Sequence, residues 1–428
     1  MLTQSNYWHT TTVMPGEENT ITPLPEKVEV AVIGGGYTGL SAARTLAQRG
    51  VKVVILEAET IGWGASSRNG GMVLTGLKIA MQTAIKRYGR ERAKQLFQCS
   101  LDSIDTVERI VKEENIDCGF ARTGHLLTAN KPKHYSALQG EVEFMAKEFN
   151  HAVRLVPPKE MHNEIGSTVY HGALVDEVSA GLNPAQYVKG LARATEKAGV
   201  VLHAQARVTS LERRMNRFAI QTERGSLSAE SVLVGTSGYT RNATKNLQKK
   251  IIPIGSFIIA TEQLPKKLAA ELSPKNRMIF DYKHYLNYFR LWDNRMIFGG
   301  RAAFFPETAN TIRRSAEILR REMVQVYPKL KDVNVEYVWG GTLDFAFDMM
   351  PHVGRQGGVY YSLGYAGHGV AMATYLGKTV AEAMLSGKIK EHPFASFDFP
   401  GAPLGLYNGF PWFLPLAGAW HKILDWVE

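Results

Sequence analysis

The stretch that most constrains this chain is VEVAVIGGGYTGLSAARTLAQRGVKVVILE, residues 28–57. Its first six residues form an apolar run that reads as a buried parallel strand. The run breaks at three glycines spaced Gly34-x-Gly36-x-x-Gly39, and an alanine-rich segment over 37–48 then predicts a helix closed by Gly50. A second β-branched run, 51–56, ends on Glu57, which lies 23 residues after Gly34 (57 − 34). Each glycine has a physical task. Gly34 allows the tight turn off the strand, Gly36 lets backbone N–H groups approach a pyrophosphate, and Gly39 lets the helix sit close to the sheet. A pyrophosphate is then favoured at the helix N-terminus by free N–H groups and the dipole. An acid about 20 residues on is placed to accept hydrogen bonds from a ribose diol. Strand, turn, helix, second strand and acid together predict a dinucleotide-binding α/β unit.

Length requires more than this unit. A chain of 428 residues exceeds one simple core and fits two closely packed domains. Its 45% hydrophobic and 21% charged residues are those of a globular protein. Apolar runs stay short of the ~18 residues of a spanning helix. Residues 1–20 show no basic and apolar signal-peptide pattern. Two cysteines, Cys99 and Cys118, exclude a disulfide framework and a cysteine zinc cluster, and a cytoplasmic location is expected. The net charge of +10 comes from scattered Lys and Arg. It reads as a solvated basic surface, or as steering of anionic ligands. No nucleic-acid module is present, so no nucleic-acid partner is expected.

In chain order, residues 1–27 read as an irregular arm. The loop IGWGASSRNGG, 61–71, is rich in small residues and suits contact with a planar ring and a diphosphate. Residues 78–117 and 132–150 predict helices, 120–129 a strand pair, and Pro184 the first turn of a helix to residue 197. Strands are expected over 200–203, 206–211, 218–222 and 232–235, the last returning the chain to the parallel sheet. Residues 251–305 read as strand-rich. Aromatics alternate over 285–290 and suggest a pocket wall or cross-strand packing. A helix is expected at 307–326 and a strand at 335–341. A strand at 359–363 then leads through the loop Tyr365-Ala-Gly-His-Gly369 into a long helix. The aromatic tail ends in WFLPLAGAWHKILDWV, which reads as packing on the body or as a membrane-surface helix. The 12 histidines show no metal-ligand spacing, no GxSxG elbow occurs, and no metal is expected. The chemistry therefore falls to a cofactor.

Three segments, VAVIGGGYTGLSAARTLAQRG…VVILE, IGWGASSRNGG and GYAGHGV, together with HYLNYFRLWDNRMIFGGR and EYVWGGTLDF…MPHVGR, resemble the D-amino-acid oxidase-like flavoproteins. This is the FAD-dependent amine oxidoreductase group that includes glycine and sarcosine oxidases. The resemblance covers nearly the whole chain. It implies a mixed α/β fold with a Rossmann-like FAD domain over 1–86, 155–245 and 335–390. An antiparallel-sheet substrate domain would occupy 87–154 and 246–334, and a tail, 391–428, would pack on the body. It implies noncovalent FAD, held at Gly34, Gly36, Tyr37, Thr38, Gly39, Glu57 and Ala58. The second loop would add Gly64, Ala65, Ser66, Ser67, Arg68, Asn69, Gly70, Gly71 and Met72. Val208 would meet the adenine, Gly367, His368, Gly369 and Val370 the pyrimidine edge, and Gly238 and Gly340 would also contact the cofactor.

The activity so implied is oxidation of a primary or secondary amine, gamma-glutamylputrescine-like or amino-acid-like, by hydride transfer to flavin N5, with O2 or another acceptor reoxidising FAD. His368 is the candidate for stabilising reduced-flavin charge. Tyr285, Tyr288, Tyr365 and Trp339 are candidates for an amine-binding wall. Arg301 is a candidate carboxylate anchor or a structural ion pair. Two alternatives stand beside this reading. One is a dehydrogenase that passes electrons to a quinone or carrier through weak peripheral membrane contact; the other is a flavoprotein that modifies a protein partner. Substrate, acceptor and oligomeric state are open at this level.

Overall fold

The computed structural model describes residues 2–15, 22–283, 286–303, 308–402 and 405–413. Two eight-stranded sheets carry the fold, with helices between and around them. The first is built on the strand Lys27–Ile33, which pairs in parallel with Val53–Leu56 on one side and Gly225–Val234 on the other. Val201–His203 and Val359–Leu363 extend the parallel run, and His352–Gln356 closes one edge antiparallel. Val53–Leu56 is buried throughout, as a strand covered on both faces must be. Helix Tyr37–Ala47 packs against the C-terminal helix Gly369–Ser386. They approach so closely that a Cβ on Gly377 would lie 2.4 Å from the Thr38 carbonyl oxygen.

The second sheet runs Val335–Ala346, Ile251–Thr261, Arg295–Ala303, Tyr288–Trp292, Met278–Asp281, His125–Thr128, Ala173–Asp176, Arg154–Val156. All its pairings are antiparallel except Met278–Asp281 with His125–Thr128. Side chains alternate across a strand, so its two faces differ. Leu126, Ile279, Phe289 and Phe298 point to the back, where helix Ala309–Val326 contributes Leu319 and Met323 to a separate core. His125, Phe280, Tyr288 and Arg290 share the front face, toward the first sheet.

Several elements differ from the sequence reading. Strands Ala173–Asp176 and Val335–Ala346 lie in segments expected for the nucleotide domain, and Arg154–Val156 straddles the expected boundary at 154/155, yet all three hydrogen-bond into the second sheet. Domain segments drawn along the sequence therefore do not follow the sheets at these strands. The expected strand pair at 120–129 is one strand, His125–Thr128, preceded by a lone bridge from Ala121 to Gly181. Gly119 and Gly124, both at positive φ, keep the preceding residues out of the ladder. The helical stretch 78–117 is two helices, Met81–Tyr88 and Arg90–Glu113, broken at Gly89. The aromatic strand begins at Tyr288 rather than 285, and Tyr285 lies outside the described residues. The 1–27 arm contains a short helix, Tyr7–Thr10, capped by the Asn6 side chain, with Tyr7 and Trp8 buried. Among the described residues no helix is long and apolar enough to cross a membrane. The segment read as a membrane-surface helix lies mostly outside the described residues.

Candidate cofactor and substrate site

At the C-terminal edge of the parallel strands the chain makes a cradle. Gly34 has φ +108°, and a Cβ there would meet the Gly235 carbonyl oxygen at 2.8 Å. A Cβ on Gly39 would lie 1.9 Å from the Gly34 carbonyl oxygen, so turn and helix touch backbone to backbone. Gly36 is the N-cap of helix Tyr37–Ala47, with no side-chain cap of its own. The Tyr37 N–H donates to Ser66 Oγ at 3.0 Å. Glu57 accepts the N–H groups of Gly35 (2.7 Å) and Glu59 (2.9 Å). Burial pushes its carboxyl up and these backbone bonds oppose the rise. An ionised carboxylate offers about four lone-pair positions, so Glu57 keeps acceptor capacity for a ribose hydroxyl.

A cleft of about 430 Å3 opens over this cradle. Gly34, Gly36, Tyr37, Thr38, Glu57 and Ala58 line it from the motif. Gly64, Ala65, Ser66 and Asn69 line it from the second loop, and Val208, Tyr365, Gly367, Gly369 and Val370 from more distant segments. The remaining expected contacts are not among the residues that line this cleft. Gly39 is the packing point already described. Ser67 is buried, with Oγ 2.9 Å from His9 Nε2. Arg68 stacks 4.1 Å from the Trp63 ring and bonds the carbonyls of Trp63 and Gly340. Gly70 abuts the Tyr288 ring, and Gly71, at φ +69°, has no room for a Cβ because the Leu182 carbonyl oxygen would be 2.1 Å away. Met72 starts the short strand Met72–Val73, paired with Ala180–Gly181. Gly238 backs onto the Leu343 carbonyl.

The sequence reading missed what holds the second loop. Asn6 Nδ2 donates to the Ser67 carbonyl (2.8 Å) and Trp8 Nε1 to the Asn69 carbonyl (2.9 Å). The N-terminal arm thus fastens the loop at two points. It also missed Asp344, a buried residue on the cleft wall. Its carboxylate accepts the N–H groups of Gly364 (2.7 Å) and Tyr365 (3.2 Å), and burial pushes its pKa up to about 6. Arg207 and Glu59, paired at 2.5 Å, also line the cleft. An acid in "TLDF" following an aromatic strand is the one available signal for Asp344; for the arm, "NYWHT" offers an N-cap residue before aromatics.

Glycines that a Cβ would fill, an open helix N-terminus and an acid ending the second strand fit the diphosphate and ribose of an adenine dinucleotide. Residues 29–383 match the family described as FAD dependent oxidoreductase (DAO). The chain belongs to this DAO family. It is 32% identical over 367 residues to a probable oxidoreductase of Haemophilus influenzae, covering 84% of this chain and 83% of that one. It is 31% identical over 404 residues to gamma-glutamylputrescine oxidoreductase of Escherichia coli, covering 92% and 94%. A crystal structure of glycine oxidase from Geobacillus kaustophilus superposes with a TM-score of 0.75 at 18% identity, covering 88% of this chain and all of that one. That likeness is one of fold. As a DAO-family enzyme the chain is an FAD-dependent oxidoreductase.

The DAO-family chain places its catalytic candidates unevenly. His368 is the N-cap residue of helix Gly369–Ser386. Burial, with Lys78 nearby, holds its imidazole down to about 3. It is uncharged at neutral pH, so stabilisation of an anionic ring would come from the helix N-terminus rather than from an imidazolium. Tyr365 OH is tied between Thr38 Oγ1 (2.6 Å) and Ser362 Oγ (2.8 Å), which fastens the motif helix to the last parallel strand. Tyr288 faces the front, its OH 3.0 Å from Ser256 Oγ. Trp339 is buried and donates to the Arg68 carbonyl at 3.0 Å. Arg301 belongs to strand Arg295–Ala303, and its side chain lies outside the described residues. Cys99 and Cys118 are buried, and neither lines the cleft.

Proposed function

We propose that this enzyme oxidises a primary or secondary amine to an imine, which water hydrolyses to an aldehyde and ammonia or an amine. The observation that carries the reading is the 31% identity to gamma-glutamylputrescine oxidoreductase across 92% of this chain. Bound FAD supplies the two-electron acceptor for the hydride leaving the substrate's α-carbon, and O2 regenerates it with formation of H2O2.

The chain's own residues bind and orient. Gly34 and Gly36 would let backbone approach the diphosphate, and Glu57 would accept from the ribose diol. Val208 would meet the adenine through its backbone. Gly367 to Val370, at a helix N-terminus, would stabilise the charge that develops at the pyrimidine edge on reduction. Tyr288, set against Gly70 and Gly299, forms an aromatic wall on the front of the second sheet. It suits an alkyl chain, or a cation before deprotonation. Holding substrate and acceptor in one orientation then supplies most of the rate.

The test is a panel of gamma-glutamylated amines, polyamines, sarcosine and glycine added without oxygen to purified holoenzyme. Loss of the oxidised-flavin absorbance is common to any reduced flavin, so the rate is read against an amine-free control. Bleaching by at least one amine is expected; if none bleaches the flavin, amine oxidation is refuted. Peroxide release in air distinguishes an oxidase from an enzyme that passes electrons to a quinone or carrier.

A further inference from the structure

The chain from 399 to 413 carries no charged residue, and its described part turns apolar side chains to solvent. Leu406, Phe410 and Trp412 are 68%, 66% and 57% exposed, and among the described residues no other Phe, Tyr or Trp is more than half exposed. Loose packing does not account for this. Tyr407, in the same turn, is buried; its OH donates to the Ile251 carbonyl at 2.8 Å, and its ring meets Phe347 at 5.5 Å and Phe413 at 5.9 Å. A Cβ on Gly409, at φ +102°, would lie 2.7 Å from the Gln248 side chain, so the turn sits hard against helix Lys245–Gln248. The base of the turn is anchored while its largest apolar side chains stay in water. Met349, two residues after Phe347, adds another that is 43% exposed.

The segment this turn leans on is cationic. Between Glu230 and Glu262 the chain has no acid and four cations, Arg241, Lys245, Lys249 and Lys250. Lys250 is tied to the body, donating to the Phe399 carbonyl and lying 5.1 Å from the Phe399 ring. Arg241, Lys245 and Lys249 are exposed and make no ion pair among the described residues. Lys245 and Lys249 stand one helical turn apart, and Gln248, the residue that meets Gly409, lies between them in the chain. Arg87 donates to the Asp348 carbonyl at 2.8 Å, beside Met349. The acids of these segments are engaged elsewhere. Asp348 Oδ1 is bonded to His352 Nε2 at 3.0 Å and accepts the Met350 N–H at 3.2 Å, and Asp398 lies within electrostatic reach of Lys250.

We propose that this turn docks the enzyme on an anionic lipid surface, with Leu406, Phe410 and Trp412 entering the headgroup boundary and Arg241, Lys245 and Lys249 meeting the lipid phosphates. The match is one of chemistry on both counts. Trp favours the level where hydrocarbon meets water. Apolar side chains bordered by unpaired cations complement hydrocarbon lying under a layer of negative charge. The net charge of +10 attracts the whole molecule in the same direction. A second copy of this chain is the poorer occupant. A two-fold contact sets the same patch on both subunits, so it would bring these cations against their own counterparts with no acid from this segment to receive them. Residues 241–244 line the dinucleotide cleft and run directly into helix Lys245–Gln248, so docking holds that end of the cleft beside the lipid.

The experiment sediments full-length holoenzyme with sucrose-loaded vesicles of phosphatidylcholine, with and without about 30% phosphatidylglycerol. The wild type is expected to bind the anionic vesicles and to leave them as salt rises from about 0.05 M to about 0.5 M. Each lysine near the surface contributes a factor of about 5, so Lys245→Gln with Lys249→Gln should weaken binding about 25-fold. Phe410→Ser with Trp412→Ser should weaken it at least about 10-fold. None of these four side chains lines the cleft, so each variant should keep its flavin, which reports an intact fold; if one pair loses it, the other carries the test. A wild type that stays in the supernatant with anionic vesicles overturns the proposal. So does equal binding to vesicles without phosphatidylglycerol, or variants that bind like the wild type. A wild-type dimer on gel filtration that Phe410→Ser with Trp412→Ser splits into monomers gives the patch to a second copy and also overturns it.

Discussion

Replacing Asp344 by Asn sets two effects against each other, and the structure supplies their sizes. The carboxyl is buried on the cleft wall and its pKa is pushed from 3.8 to about 6 by burial, with the bonds from Gly364, Ser237 and Tyr365 opposing the rise. A carboxyl with a raised folded pKa gives stability that is fully present below its unfolded value and is lost as pH climbs through the folded one. The gap between 3.8 and about 6, at about 1.4 kcal/mol per pH unit, makes the ionised Asp344 cost about 3 kcal/mol above pH 6. Asn never ionises and avoids that cost. Its own penalty comes from geometry. Gly364 N–H bonds one carboxylate oxygen and Tyr365 N–H the other, so an amide leaves one N–H facing an NH2 group, for about 1–3 kcal/mol at any pH. The variant should therefore be less stable than the wild type at pH 4 and equal or more stable at pH 7. Urea midpoints of both proteins, each saturated with FAD, measured from pH 4 to pH 7, check this. The difference in unfolding free energy should move toward the variant by about 3 kcal/mol across that window. A difference that stays constant with pH would mean that Asp344 is not desolvated as described.

Three further outcomes follow from the packing. Gly39→Ala places a methyl 1.9 Å from the Gly34 carbonyl oxygen, forcing helix from turn at a cost of about 1–3 kcal/mol or more; purified protein should retain little flavin, and a fully yellow variant would refute the contact. Arg277→Met removes the guanidinium that bonds Glu164 (2.6 Å) and Glu177 (2.6 Å), stranding the buried Glu164 with only the half-exposed Arg154; destabilisation of about 3–5 kcal/mol in urea is expected at pH 7. Burial pushes the thiols of Cys99 and Cys118 up to about 11 and about 12, so iodoacetamide at pH 8 should label neither in the native protein and both after denaturation, while rapid native labelling would contradict their burial.

The nucleotide cradle was legible in the sequence because its physics is local. Gly34, Gly36 and Gly39 lie within six residues, and the strand, helix and acid that use them follow directly along the chain. The Tyr365–Gly369 loop was legible for the same reason, as a strand ending in glycines before a long helix. The second loop was legible in composition but not in fastening. Its carbonyls are held by Asn6 and Trp8, 61 residues away, through an arm that reads as irregular because a four-residue helix has no periodicity to detect. Arg68 was legible as a cation in a glycine loop but not in its partners: its guanidinium stacks on Trp63 and bonds the carbonyls of Trp63 and Gly340.

Sequence by itself determined that a βαβ unit forms around a dinucleotide, since steric freedom at three glycines and alternation of apolar runs need no distant partner. Only the tertiary structure decided where the strands at 154–156, 173–176 and 335–346 belong, because ladder partners are chosen by packing between sheets and not by neighbours in the chain. It also decided which buried polar groups meet. Asp176 accepts from Thr75 Oγ1 and His151 Nε2, and Ser179 Oγ lies 2.8 Å from His125 Nδ1, side chains drawn from four separate segments. No spacing rule encodes bonds between groups brought together from separate strands.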